Sequence, residues 1–207
     1  MAIVFLIRHG ETDWNREGRV MGDQPIPLNA EGERRAHEVA QVLARSGIGS
    51  LFASPVLRAV QTAAILGAAA AVDVETLSGL SEIGVGRWIN RYWRDFADDP
   101  AKRDWYRKPD EARPEGGETL REVQRRAVAA VEQGLRSGKT GPHVFVSHGD
   151  VIRAILAHYL HMNLSDLRRA RIDHVSVSGL DLSEQPAHLL FLNHQPGLSH
   201  FPGLSSP

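Results

Sequence analysis

Arg8 and His9 stand side by side, directly after the apolar run Ile3-Val4-Phe5-Leu6-Ile7 and directly before Gly10. The order recurs later, where Val144-Phe145-Val146-Ser147 leads into His148-Gly149. Arg58 follows a second short apolar run and Ser54-Pro55. If the runs are parallel strands of one sheet, two arginines and two histidines meet at one edge. Such a cluster suits an anion, and a phosphoryl group fits best. A guanidinium binds phosphate oxygens in pairs. Four cationic or donor side chains can hold a dianion and stabilise charge on the transferring group. A neutral imidazole is a competent nucleophile toward phosphorus. Neighbouring arginines depress the pKa of His9 and keep it neutral. The arginines supply the positive field, so no metal is required. The sequence also lacks the tight Asp/Glu cluster that a magnesium site uses. Departure of an alkoxide needs a proton donor. Glu82, in the glycine-punctuated stretch Leu80–Trp88, is the best candidate. A bound phosphate raises its pKa by like charge, so it can carry that proton. It can then deprotonate the water that hydrolyses a phosphohistidine.

The elements that must position these residues are legible from periodicity. Ile3–Ile7 and His143–Ser147 are continuous apolar runs, as expected of strands buried on both faces. Ligands of open α/β sheets bind outside the carboxyl ends of such strands. The spacing predicts a helix after Asn29, its N-cap, with Ala36, Val39, Ala40 and Leu43 as its stripe and Gly47 closing it. Ser50–Ser54 reads as a second strand. A helix follows with Ser54 as cap, Pro55 at its first position, and Leu57, Val60, Ala64 and Ile65 as its apolar side. Val72–Val74 reads as a third strand, so the first part is β-α-β-α-β with right-handed crossovers. The loop from Gly18 to Pro27 follows the Arg-His pair, where loops carry function. A helical excursion or cap is expected at about 88–115, with Tyr92, Trp93 and Trp105 among many charges. It is the candidate specificity region. A long helix follows Glu118-Thr119, and another spans Val151–Leu160. Ser165–Arg169 reads as a helical turn, and Val175–Leu180 and Leu189–Leu192 as strands. The tail from Pro196 to Pro207 is rich in Gly, Pro and Ser and is expected to be irregular. The fold class is therefore α/β, one domain over 1–207, with a mostly parallel central sheet.

Composition narrows the function classes. The chain is 42% hydrophobic and 24% charged, with a net charge of −1. No global field favours nucleic acid or a membrane surface. It has no cysteine, which excludes disulfides, zinc–thiolate sites and a cysteine nucleophile. The apolar N-terminal run is too short for a signal peptide, and no run approaches a membrane span. A soluble, cytoplasmic protein is expected.

Five segments in order resemble the histidine phosphatase superfamily, in particular its phosphoglycerate-mutase-like branch. They are Leu6–Asn15, Ser54–Ala63, Leu80-Ser81-Glu82 with Gly86 and Trp88, Glu115–Thr119, and Val146–Arg153. Together they extend over about three-quarters of the chain. The resemblance implies an α/β/α sandwich, with His9 as the phosphorylated nucleophile and Glu82 as the proton donor. It further implies that Arg8, Arg58 and His148 hold the phosphate, and that Asn15, with the backbone near Gly22 and Gly149, lines the pocket. No cofactor is implied. The partner is a small phosphorylated metabolite, and a homodimer is compatible with the sequence. Some positions depart from the mutase pattern. Trp88 is followed by Ile89-Asn90 and Pro25 replaces an aspartate. Met21 stands where mutases have a small hydroxyl residue, and Ile83 follows Glu82. Lys102-Arg103 is the nearest basic pair in the insertion. These departures leave the catalytic set intact and weigh against a second phosphate site. The leading reading is a metal-independent phosphomonoesterase. A cofactor-dependent phosphoglycerate mutase and a non-catalytic phospho-ligand binder are the alternatives.

Other signals carry less. Gly134-Leu135-Arg136-Ser137-Gly138-Lys139-Thr140 has three residues between glycines where a P-loop needs four, and it follows a helix. His158 and His161 lack an obvious third metal ligand. Arg168, Arg169 and Arg171 read as a solvated basic face. His194 and His200 lie in or near the tail.

Overall fold

The computed structural model describes residues 2–136 and 139–195. The expected irregular tail, with His200, and the Ser137-Gly138 part of the P-loop-like stretch lie outside them. A six-stranded sheet runs in the order β3-β2-β4-β1-β5-β6. β1 (Ile3–Arg8), β4 (His143–Ser147), β2 (Ser50–Ala53) and β3 (Val74–Thr76) pair in parallel. β5 (Val177–Asp181) and β6 (His188–His194) extend the sheet antiparallel beyond β1. The result is the expected three-layer α/β/α sandwich.

The alternation of side chains along β1 builds the layers. Ile3, Phe5 and Ile7 pack with α2 (Ala30–Leu43) and α3 (Leu57–Ala70) on one face. Val4 and Leu6 pack with α5 (Leu120–Leu135) and α6 (Gly149–Tyr159) on the other. The chain thus leaves β1 and β4 toward opposite faces. That divergence opens a crevice at their C-terminal ends, the topological switch point where α/β proteins bind ligands.

Caps fix where the helices begin. Asn29 Oδ1 accepts from Gly32 N at 2.8 Å. Thr119 and Glu122 form a reciprocal capping box at the start of α5. α6 begins at Gly149, two residues before the expected start, with His148 itself as the N-cap residue. The short α1 (Asp13–Glu17) was not foreseen, although Thr12 and Asn15 form a capping box and Gly18 closes it at φ 72°.

Several expectations need correction. α3 starts at Leu57 with Val56 at its N-cap position, so Ser54 is not its cap and Pro55 is not its first residue. Ser54 Oγ is committed to His148 and to Val56 N. The buried side of α3 is Arg58, Ala59, Thr62, Ala63, Leu66 and Gly67, rotated from the expected stripe. Leu57 is 37% exposed, since its neighbour Arg58 must point inward. β3 lies two residues late because Ala71, at φ 54°, and Val72 still terminate α3. α2 ends at Leu43, and Gly47 closes the turn beyond it. β5 starts at Val177 because Val175 adopts φ 56° and gives its N–H to Arg8 O at 3.0 Å.

The segment after β3 makes short 3-10 turns at Ser78–Leu80, Gly86–Trp88 and Trp93–Phe96, then α4 (Pro100–Arg107). Trp88 stacks on Phe96 and meets Trp105 edge-on, each at a centroid distance of 5.3 Å. Both tryptophans are fully buried, so this segment is fastened to the α5–α6 face of the body. Among the described residues, no helix is long and apolar enough to cross a membrane.

Candidate active site

β1 and β4 are neighbours with Arg8 opposite Ser147, and His9 N donates to Ser147 O at 2.9 Å. This register sets the two strand-end histidines together, with ring centroids 5.1 Å apart. Both are buried.

Arg58 is the centre of the site. It is fully buried, in the first turn of α3. Its Nε donates to His9 Nε2 at 3.2 Å. One terminal nitrogen lies 3.2 Å from His148 Nδ1 and 3.5 Å from Glu82 Oε2, and donates to Gly22 O at 2.8 Å. The other donates to Gln24 O at 3.2 Å. The loop from Gly18 to Pro27 therefore grips the guanidinium through its carbonyls. Gly22 takes φ 52° there, and an added Cβ would stand 3.0 Å from Val85.

The hydrogen bonds assign the imidazole tautomers. His9 Nδ1 lies 2.7 Å from Gly10 O, a pure acceptor, so Nδ1 carries the proton and Nε2 the lone pair. His148 faces Arg58 with Nδ1 and Ser54 Oγ with Nε2 at 2.8 Å, so its proton sits on Nε2. Burial, and then the charge of Arg58, hold both histidines well below the ordinary pKa of 6.5. Gly10 serves packing. A Cβ there would sit 2.8 Å from Gly32 O, so the glycine admits the N-terminus of α2 against β1.

Arg8 is anchored by Ile172 O at 2.8 Å, and its buried Nε has no partner among the described residues. Burial pushes its pKa down to about 10. An anion would supply the missing acceptor and recover that desolvation. Glu82 is held by its turn: Arg126 donates to the carbonyls of Gly79, Ser81 and Glu82. Burial raises the pKa of Glu82 against the opposing pull of Arg58, with Asp150 adding to the rise. The carboxyl is thus biased toward its protonated form by the protein itself.

The crevice is lined by Arg8, His9 and Glu82, and by Asn15, Gly22 and Gly149 as expected. Met21 and Trp93 also line it, whereas Lys102 and Arg103 line a different cavity. His9, Glu82 and His148 present three ligand atoms within 4.8 Å of one another, a geometry that could hold a cation. These same acceptors converge on the buried Arg58 guanidinium. A metal there would have to displace a cation already in place, so the donor set fits an arginine-held anion site better.

Some residues of the site were not foreseen. Thr62, one turn after Arg58, accepts from Gly10 N at 3.0 Å; its helical spacing from Arg58 is a usable signal. Asp150 pairs with Arg153 at 2.8 Å and accepts from Tyr106 at 3.3 Å beside the crevice. His174 packs its ring 5.7 Å from that of His9, and burial holds its pKa down to about 3. A lone histidine ahead of a strand gives no sign of this in the sequence.

The defining pattern of the histidine phosphatase superfamily (branch 1) matches residues 4–195. A protein of Enterobacter sp. (strain 638) named probable phosphoglycerate mutase GpmB is 31% identical over 188 residues, 90% of this chain and 87% of that one. A mycobacterial glucosyl-3-phosphoglycerate phosphatase structure superposes with a TM-score of 0.86 at 26% identity, covering 94% of this chain and 100% of that one. An α-ribazole phosphatase structure from Shigella flexneri gives a TM-score of 0.80 at 26% identity, covering 92% and 96%.

Proposed function

The chain belongs to the histidine phosphatase superfamily, and on that premise we propose that it hydrolyses a small phosphorylated metabolite through a phosphohistidine on His9, without a metal. The observation that carries this reading is the single Arg58 guanidinium that reaches His9 Nε2, His148 Nδ1 and Glu82 Oε2 at 3.2, 3.2 and 3.5 Å. Phosphoryl oxygens take over the N–H groups of Arg58 and Arg8; His148 then switches tautomer, Nε2 accepting from the Ser54 hydroxyl and Nδ1–H turning to the phosphoryl group, and the backbone at Gly149 completes the cradle. The N-terminus of α6 adds its partial positive charge. His9 Nε2 attacks phosphorus, and the phosphorus–oxygen bond to the leaving group breaks. Glu82 gives its proton to that oxygen, and the alcohol departs. The Glu82 carboxylate then takes a proton from water as the water oxygen attacks the phosphohistidine. Inorganic phosphate leaves, with His9 neutral and Glu82 protonated again.

The phosphatase names of the structural neighbours support hydrolysis. The names of the sequence relatives favour a second reading, a phosphoglycerate mutase. Against it, Met21 lines the crevice and the Lys102-Arg103 pair lies on another cavity, which leaves that basic pair unable to hold a second phosphate beside His9. Release of phenolate from p-nitrophenyl phosphate in excess chelator tests the proposal. Turnover should persist, and a strict metal requirement would overturn it. A coupled mutase assay with and without 2,3-bisphosphoglycerate should show no isomerisation.

A further inference from the structure

Two basic stretches far apart in sequence meet on the outer side of α4. Lys102, Arg103 and Arg107 come from α4 itself, and Arg168 from the 3-10 turn Leu164–Arg169. All four line one cavity of about 470 Å³, against about 140 Å³ for the catalytic crevice. Among the described residues, none of the four forms an ion pair with a carboxylate. The nearby acids are engaged elsewhere: Asp104 pairs with Lys108, Asp166 with Arg169, and Asp173 with Arg171. Of the arginines in the Arg168–Arg171 stretch, Arg168 alone is left over, and it lies over the ring of Tyr106 at 4.4 Å. Two carboxylates, Asp98 and Asp99, share the cavity, and Asp99 is occupied in capping Ala101 N at 2.8 Å. Four cations against two acids leave a net positive concavity. Lys102 is half-buried between Trp93 and Phe96, with Nζ 5.1 and 5.4 Å from their rings. Burial and Arg168 lower its pKa, a cost that a bound anion removes.

We propose that this cavity is a second anion site, separate from the catalytic crevice, which takes a small dianion such as a phosphomonoester or a dicarboxylate. Lys102 forms its floor with the Tyr106 edge, and the exposed Arg103, Arg107 and Arg168 its rim. The exposed rim steers the ligand, and the half-buried Lys102 gives it most of its grip. Tyr106 also joins the site to the catalytic crevice, because its hydroxyl donates to Asp150 at 3.3 Å and Asp150 lines that crevice. Ligand at α4 is thereby one side chain away from the charge that helps set Glu82.

Calorimetric titration with inorganic phosphate counts the sites. The wild-type chain should bind two phosphates. Arg58→Ala should keep only the α4 site. Lys102→Gln with Arg168→Gln should keep only the catalytic one, with affinity at α4 down about a hundredfold or more, as expected for the loss of two charged hydrogen bonds. Turnover of p-nitrophenyl phosphate by this double variant should be unchanged, which also shows that it folds. Arg103→Gln with Arg107→Gln, both exposed, provides a second pair should the first fail to fold, and should weaken the same site. Malonate in the Arg58→Ala chain sorts the ligand chemistry: binding of phosphate, malonate or both supports a dianion site. Binding of neither overturns it. A chain that turns over no phosphomonoester but still binds phosphate in the Arg58→Ala background would sink the proposed function and leave this site standing.

Discussion

Acidification should destabilise this protein because of the histidines gathered at its candidate site. His9 and His148 are buried, His174 is partly buried, and all three are neutral, with pKa values held well below 6.5, that of His174 at about 3. Unfolding releases them to ordinary histidine behaviour, near pKa 6.5. Below that value the unfolded chain binds three protons that the native chain does not, so stability falls as pH falls. Between about pH 7.5 and about pH 5.5, each histidine contributes roughly 1.4 kcal/mol of loss, on the order of 4 kcal/mol for the three. That is a large share of a typical folding free energy of about 5–15 kcal/mol. For a chain of this size it lowers Tm by about 10 °C. His143, also held low by burial, adds in the same sense. Glu82 acts in the opposite sense, because its pKa is raised, and Glu82→Gln removes that offset. Carboxylates held low, such as Glu118 and Asp173, lose their contribution only in a more acid window, near and below about pH 4. Urea denaturation across this pH range measures the slope, and His174→Asn should remove about a third of it. A flat stability profile, or a slope untouched by His174→Asn, would refute the claim that these imidazoles are held neutral in the native protein.

Glu82→Gln should split substrates by leaving group. An alkyl phosphate, whose alkoxide needs a proton, should lose about 10²–10⁴ in kcat/KM, and p-nitrophenyl phosphate much less. Equal losses on both would show that Glu82 is structural. On the wild type, activity toward the alkyl phosphate should fall as pH rises through the raised pKa of Glu82, and that limb should vanish in the variant. Arg58→Lys keeps the charge but loses the fork, and should lower kcat by about 10²–10³ with the fold retained by circular dichroism. Ala71→Gly should stabilise, because Ala71 ends α3 exposed at φ 54°. Relief of about 1 kcal/mol should raise Tm by about 2–4 °C, read by calorimetry.

The strands and the clustering of the candidate site residues were legible because each rests on a local signal. Ile3–Ile7 and His143–Ser147 are apolar runs that only a doubly covered strand explains, and each ends on its histidine. Once the strands are parallel neighbours, the meeting of His9 and His148 follows. Arg58 was legible as a helix-start arginine, but its burial was not. A buried arginine inverts the usual apolar reading of α3, which is why Leu57 and Ala64 were expected inside and face outward. Ser54 was expected as a cap because nothing local reveals that His148, 94 residues away, claims its hydroxyl. His174 enters the site only through tertiary packing beside the left-handed Val175, a conformation its β-branched side chain disfavours. The shift of β5 has the same origin, since the contact of Val175 with Arg8 O replaces the first ladder pairs.

The covalent step on His9 is the claim on which the rest depends. Wild-type chain mixed with a ³²P-labelled phosphomonoester and quenched in base should carry label in a bond that is stable to base and labile to acid, as a phosphoramidate is. Peptide mapping should place the label on His9, and His9→Ala should carry none. Turnover by His9→Ala, or label on any other side chain, would contradict the account.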